Sequence, residues 1–179
     1  HTFYPKKVLD QMSAESAAKN NNENEKSPTL DAANKLNAVQ LHNMVSDAKG
    51  LKQFLSKAEF KQSRFVIEQG KSYQELSFTI PMEAIIWNKK TRDYVDDFES
   101  QYRLLLDEKG YPAKSYLNYQ GSGSAYLVFS MEAYGENTIE YQVIDDRLIQ
   151  KKYHRKTGNT SMFGDFERQA NKLLVVKKT

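Results

Sequence analysis

The sequence predicts an α+β fold, with an N-terminal amphipathic helix packed on a mainly antiparallel β-sheet and a second helix between strands. Two observations carry that expectation. Apolar residues recur at helical spacing early in the chain, and from Arg64 onward they shift to alternation with a second helical interval from Thr91. At 179 residues, 39% apolar and 12% aromatic, the chain has the size and apolar content for one packed core.

The first helix starts at Ser27-Pro28, a capping side chain followed by proline at the first helical position. Leu41, Met44, Val45, Ala48, Leu51, Leu55 and Ala58 then share one face, and Gly50 makes this either one bent helix or two short ones. Ahead of it, residues 13–29 are polar and rich in asparagine. Too little apolar surface is present there to offset the entropy of ordering, so the segment reads as a linker. Phe3, Tyr4, Val8, Leu9 and Met12 form a small apolar group before it. Residues 1–28 are therefore expected as a flexible or partly ordered segment and 29–179 as a single domain.

Phe65-Val66-Ile67 and the alternating Leu76, Phe78 and Ile80 read as two strands about a turn at Gly70, ended by Pro81. Thr91 then caps an expected helix over 91–109, with Tyr94, Val95, Phe98, Tyr102, Leu105 and Leu106 on one face and a stop at Gly110 and Pro112. The remainder reads as an antiparallel meander: Tyr116 to Tyr119, then Ala125, Leu127, Phe129 and Met131, then Ile139, Tyr141 and Val143, then Leu148 to Arg155. Asp145-Asp146 predicts a tight hairpin turn, Tyr134 to Asn137 a looser one, and Gly121-Ser122-Gly123-Ser124 a flexible loop. At the C-terminus Phe163, Phe166, Ala170, Leu173 and Leu174 suit a helix, while Leu173 to Val176 suit a closing strand, which is preferred.

Motifs that would carry chemistry are weak. Tyr94-Val95-Asp96-Asp97 resembles the metal-holding motif of reverse transcriptases, but that chemistry needs a third carboxylate in a much larger fold, so an acidic first helical turn accounts for it better. His1, His42 and His154 have no metal-ligand spacing, and the chain holds no cysteine, so no metal site or cofactor is expected. No Gly-x-Ser-x-Gly elbow is present, and Asn159-Thr160-Ser161 is a glycosylation triplet of the kind that arises by chance. No catalytic residue is assigned and the chain is expected not to be an enzyme.

Lys151-Lys152-Tyr153-His154-Arg155-Lys156 is the densest basic cluster. Strand alternation sends Lys151, Tyr153 and Arg155 to one face and Lys152, His154 and Lys156 to the other, which halves any nucleic-acid contact and fits lysines guarding a sheet edge. A net charge of +3 gives no further reason to expect a polyanionic partner. Eleven tyrosines, many on or near strands, offer an aromatic contact surface. The expected interaction surface comprises Tyr126, Tyr134, Tyr141, Lys151, Tyr153 and Arg155.

Leu51-Lys52-Gln53-Phe54-Leu55-Ser56-Lys57-Ala58 ending a helix, Glu75-Leu76-Ser77-Phe78 ending a strand, and the stretch Tyr126-Leu127-Val128-Phe129-Ser130, Gly135, Thr138-Ile139-Glu140-Tyr141-Gln142-Val143 and Arg147-Leu148-Ile149 together resemble the soluble part of a type IV pilin or pseudopilin. The hydrophobic N-terminal helix of that family is absent, and the helix from Thr91 would be an insertion. The resemblance implies a non-enzymatic assembly or protein-interaction domain of a bacterial envelope or surface apparatus, extracytoplasmic, with homologous subunits as partners. Its membrane link would come only through a segment before His1, because no run approaches the roughly 18 apolar residues of a span. Two other readings stand beside it. One is a pocket domain resembling the nuclear-transport-factor-like superfamily, acting as a secretion-system assembly module or small-ligand binder. The other is a weak nucleic-acid binder using residues 151–156.

Overall fold

In a computed structural model, residues 6–21, 25–35, 42, 44–125, 129–161 and 164–176 are described. The chain divides into two compact units, His1–His42 and Asn43–Thr179.

The first unit holds helices α1 (Lys6–Asn21) and α2 (Pro28–Lys35). The polar segment read as a linker is thus helical through Asn21. Glu15 explains part of that order: its carboxylate accepts from the backbone N–H groups of both Thr29 and Leu30 at 2.8 Å, so one α1 side chain caps the start of α2. Ser27, the expected cap, instead accepts from Lys19 through its hydroxyl.

The second unit is a seven-stranded antiparallel sheet in which every strand pairs with the next in sequence. Its strands are β1 (Glu59–Glu68), β2 (Lys71–Thr79), β3 (Asp97–Leu106), β4 (Pro112–Ala125), β5 (Phe129–Ile144), β6 (Arg147–Ser161) and β7 (Gly164–Leu173). Helix α3 (Ala48–Leu55) precedes the sheet, and two single-turn helices, α4 (Met82–Ile85) and α5 (Lys89–Arg92), lie between β2 and β3. Among the described residues no helix is long and apolar enough to cross a membrane.

This architecture overturns the expected α+β arrangement. The long helix read from Ser27 is broken: α2 ends at Lys35, residues 36–41 and 43 lie outside the described set, and the eight residues of α3 pack on the sheet. The helix expected over 91–109 is one turn followed by strand β3. Phe98 and Tyr102 are four apart and fit both periods; Ser100 and Leu104 complete the strand series, and hydrogen-bonded neighbours on both sides decide for the strand. Leu104 and Leu105 are both buried although they point to opposite faces, so this strand is covered on both sides at its C-terminal end.

Two turns were legible. Gln69-Gly70 and Asp145-Asp146 each have positive φ at both central positions, the conformation of a two-residue hairpin turn that follows the natural strand twist. The looser turn expected at Tyr134–Asn137 is instead the middle of β5, and the Gly121–Ser124 loop is part of β4. The glycines there serve close packing. The Tyr119 ring lies where a Gly135 side chain would be, the Tyr134 ring does the same over Gly158, and the Tyr94 carbonyl oxygen crosses Gly123.

Register shows how the core forms. Phe78, Tyr102 and Leu117 are successive partners across β2, β3 and β4, and Leu76, Leu104, Ser115 and Ile139 form the neighbouring row. These rows share a face with Tyr141 and Leu148, and α3 covers them with Leu51 and Phe54. The Phe54 ring meets Tyr102 edge-on at 5.1 Å. Burying each such side chain contributes roughly 1.5–3 kcal/mol, so this cluster, rather than helix propensity, holds α3 in place.

Candidate interaction surface

The long strands β3 to β6 carry the core face past the residues that α3 covers. There Phe98, Ser100, Tyr119, Tyr153 and Arg155 continue the same face by register. Phe98 and Tyr119 stack at 6.3 Å between centroids, 30° apart. Tyr119 can lie flat because its cross-strand partner is Gly135. The Arg155 guanidinium lies beside the Tyr119 and Tyr153 phenols, which favour its charged form, and the Lys172 ammonium lies 5.1 Å from the Tyr153 ring centroid. Asn137, the register partner of both Leu117 and Arg155, carries a buried Oδ1 with no hydrogen-bond partner among the described residues. The result is a half-buried aromatic strip with an exposed guanidinium beside its phenols, a composition enriched at protein contact surfaces.

The opposite face is ionic. Glu75 is 1% exposed and receives Arg64 Nε at 2.8 Å and Arg103 Nη1 at 3.1 Å. Arg103 also lies 4.7 Å over the Tyr116 ring, and the Tyr116 hydroxyl donates to Glu68 at 2.7 Å. Burial and that bond push the Tyr116 phenol up to about 12. Burial alone would raise Glu68, but the Lys114 and Tyr116 hydrogen bonds outweigh it and hold the carboxyl below its ordinary value. Further along, Glu167 binds Lys156 at 2.9 Å and the Tyr134 hydroxyl at 2.8 Å. These bonds lower its carboxyl to about 2.

The six expected surface residues are therefore dispersed. Tyr153 and Arg155 meet on the aromatic strip, while Tyr134 lies on the ionic face against Glu167. Tyr141, 8% exposed, sits in the core, where its hydroxyl is 3.1 Å from that of Ser115. Lys151 is exposed at a bulge, where β5 pairs Tyr141 with Gln150 and Glu140 with Lys152. Tyr126 lies outside the described residues. Lys152 is bound to Glu140 and Lys156 to Glu167, so two cations of the basic cluster already have carboxylate partners. Sequence reading missed Phe98 because it was placed in a helix. Glu167 was missed because its strand was ambiguous.

Under α3 the core also holds a polar group. Asp47, just before the helix, donates its backbone N–H to the Leu148 carbonyl at 2.9 Å, and its carboxyl lies near Gln150. Burial raises its carboxyl to about 6, against the smaller opposing effect of Gln150. The Tyr102 and Tyr141 phenols next to it are also raised by burial, Tyr102 to about 12. Among the described residues no group of three His, Cys, Asp or Glu is placed to hold a metal ion.

No protein-family model matches the chain, and no curated protein or solved structure matches it.

Proposed function

We propose that the chain is a non-enzymatic protein-interaction or assembly domain whose contact surface is the aromatic strip of Phe98, Tyr119, Tyr153 and Arg155. The observation that carries this reading is that the strip continues the core face beyond α3 and leaves aromatic rings half-buried and the Arg155 guanidinium exposed. Tyrosine gives large contact area at low cost in side-chain entropy, and arginine is enriched among the residues that dominate binding.

Two observations favour it over the other readings. The Phe54 ring and its neighbours fill the space between α3 and the sheet, where a pocket domain would hold its ligand. The carboxylate partners of Lys152 and Lys156 compete with phosphate for the cations a nucleic-acid site would use. The test is a photo-crosslinking residue in place of Tyr153, in the full chain, in cells that make the protein. A discrete protein adduct that Arg155→Glu abolishes is the expected result. Adducts only to nucleic acid, or a protein adduct indifferent to Arg155→Glu, would overturn the reading.

A further inference from the structure

Among the described residues strand β1 is hydrogen-bonded on one side only, so its other edge presents backbone donors and acceptors that a further strand could pair. Proteins usually protect such an edge with proline, a bulge or charge. Here a bulge falls at Phe60/Gln62, but from Gln62 to Glu68 the strand keeps unbroken register with β2 and contains neither proline nor glycine. In that stretch Phe65 is 82% exposed and Ile67 80%. Both lie on the core face, since Phe65 pairs with Gln74 and Gln74 with Leu106.

We infer that β1 pairs antiparallel with β1 of a second copy of this chain, about a two-fold axis through Val66. This surface is separate from the aromatic strip. A two-fold axis perpendicular to the sheet must set one residue opposite its own copy, because opposed side chains in an antiparallel pair point the same way. Centring on Arg64 opposes two like charges, and centring on Phe65 opposes Arg64 with Val66. Centring on Val66 satisfies every position. Phe65 then faces Ile67 of the second copy twice over, making a four-residue apolar patch on the core face. Arg64 faces Glu68 of the second copy twice over on the other, flanking the Val66 pair. Arg64 is already held by Glu75, and Glu68 by Lys114 and Tyr116, so the new ion pairs extend networks that each copy has fixed. Two seven-stranded sheets become one of fourteen, and the exposed Phe65 and Ile67 are covered. The other edge, β7, carries charge at Asp165, Glu167, Arg168 and Lys172 and lacks this self-complementarity.

The chain contains no cysteine, so a single introduced thiol reports the register without interference. Directly opposed residues in an antiparallel pair bring Cα atoms to roughly 4.5–5.5 Å, within disulfide reach. Under mild oxidation of the full chain, Val66→Cys should form a disulfide dimer at least about tenfold faster than Ser63→Cys, whose copies lie several residues apart in this register. Sedimentation equilibrium of the cysteine-free chain should give a monomer–dimer equilibrium, and Phe65→Lys should shift it to monomer with an unchanged circular dichroism spectrum. Arg155→Glu should leave the equilibrium alone, which separates this inference from the aromatic strip. A chain that stays monomeric at all concentrations, a ladder of oligomers beyond the dimer, or equal crosslinking of the two cysteine variants would overturn it.

Discussion

Replacing Asp47 by Asn should stabilise the protein at neutral pH and remove one component of its pH dependence. Asp47 is 9% exposed, makes no side-chain capping bond to α3, and has its carboxyl raised from 3.8 to about 6. The folded state therefore holds this proton more tightly than the unfolded chain does. Between about pH 4 and 6 folding takes up a proton, so the stability that the neutral form provides is present below pH 4 and is lost as pH rises through 6. A shift of about two units corresponds to about 3 kcal/mol as an upper value. Asn keeps an amide oxygen for Gln150 but gives up the favourable effect of a negative charge near a helix start, worth about 0.3–1 kcal/mol. A gain of about 1–2 kcal/mol at pH 7 is the net expectation. Urea denaturation of both proteins from pH 4 to 8 measures it. Carboxyls such as Glu68, which is lowered and so contributes in the opposite sense, titrate alike in both proteins and cancel in the difference. Tyr102 and Tyr141 stay neutral throughout. The two proteins should be equally stable near pH 4 and diverge as pH rises. A flat difference, or a less stable variant at pH 7, would refute the reasoning.

Leu148→Ala should cost about 2–5 kcal/mol in chemical denaturation, since this side chain is buried under α3 and the neighbouring strands hold the cavity open. Gly123→Ala should cost about 1–3 kcal/mol by the same assay, because its Cβ would fall 1.8 Å from the Tyr94 carbonyl oxygen and the two backbone segments would have to separate. Arg103→Met leaves the buried Glu75 with the Arg64 cation and a long hydrogen bond from the Ser77 hydroxyl at 3.5 Å. It should cost about 2–3 kcal/mol, below the roughly 3–5 of a buried charge left without any partner. Glu167 should titrate near pH 2 by carbon NMR of its carboxyl, and Tyr134→Phe should move that midpoint upward by removing one of its hydrogen bonds.

The sheet was more legible than the helices because strand alternation and hairpin chemistry are local. Asp145-Asp146 marked its turn through residues that tolerate positive φ, and Leu76-Ser77-Phe78 marked its face by period two. The segment from Thr91 failed because its apolar spacing served both periods, and the deciding fact was non-local: β2 and β4 stand ready to pair with it on both sides. Glutamate capping of α2 by Glu15, fourteen residues away, was invisible for the same reason.

The glycines show why the candidate surface was harder to find than the fold. By the ordinary rule that glycine weakens a strand, Gly135 and Gly121-Ser122-Gly123 signal a turn and a loop. In the structure they permit the strand to continue, because an aromatic ring or a crossing backbone occupies the space their side chains would need. Tyr119 lies flat only because position 135 is glycine, and in that pose its hydroxyl reaches Arg155 and its ring reaches Phe98. A tyrosine on one strand and a glycine sixteen residues later form one unit when register places them opposite each other. Sequence shows both residues and hides the pairing. The arginine was identified for its charge, yet its position depends on a glycine that seemed to end the strand.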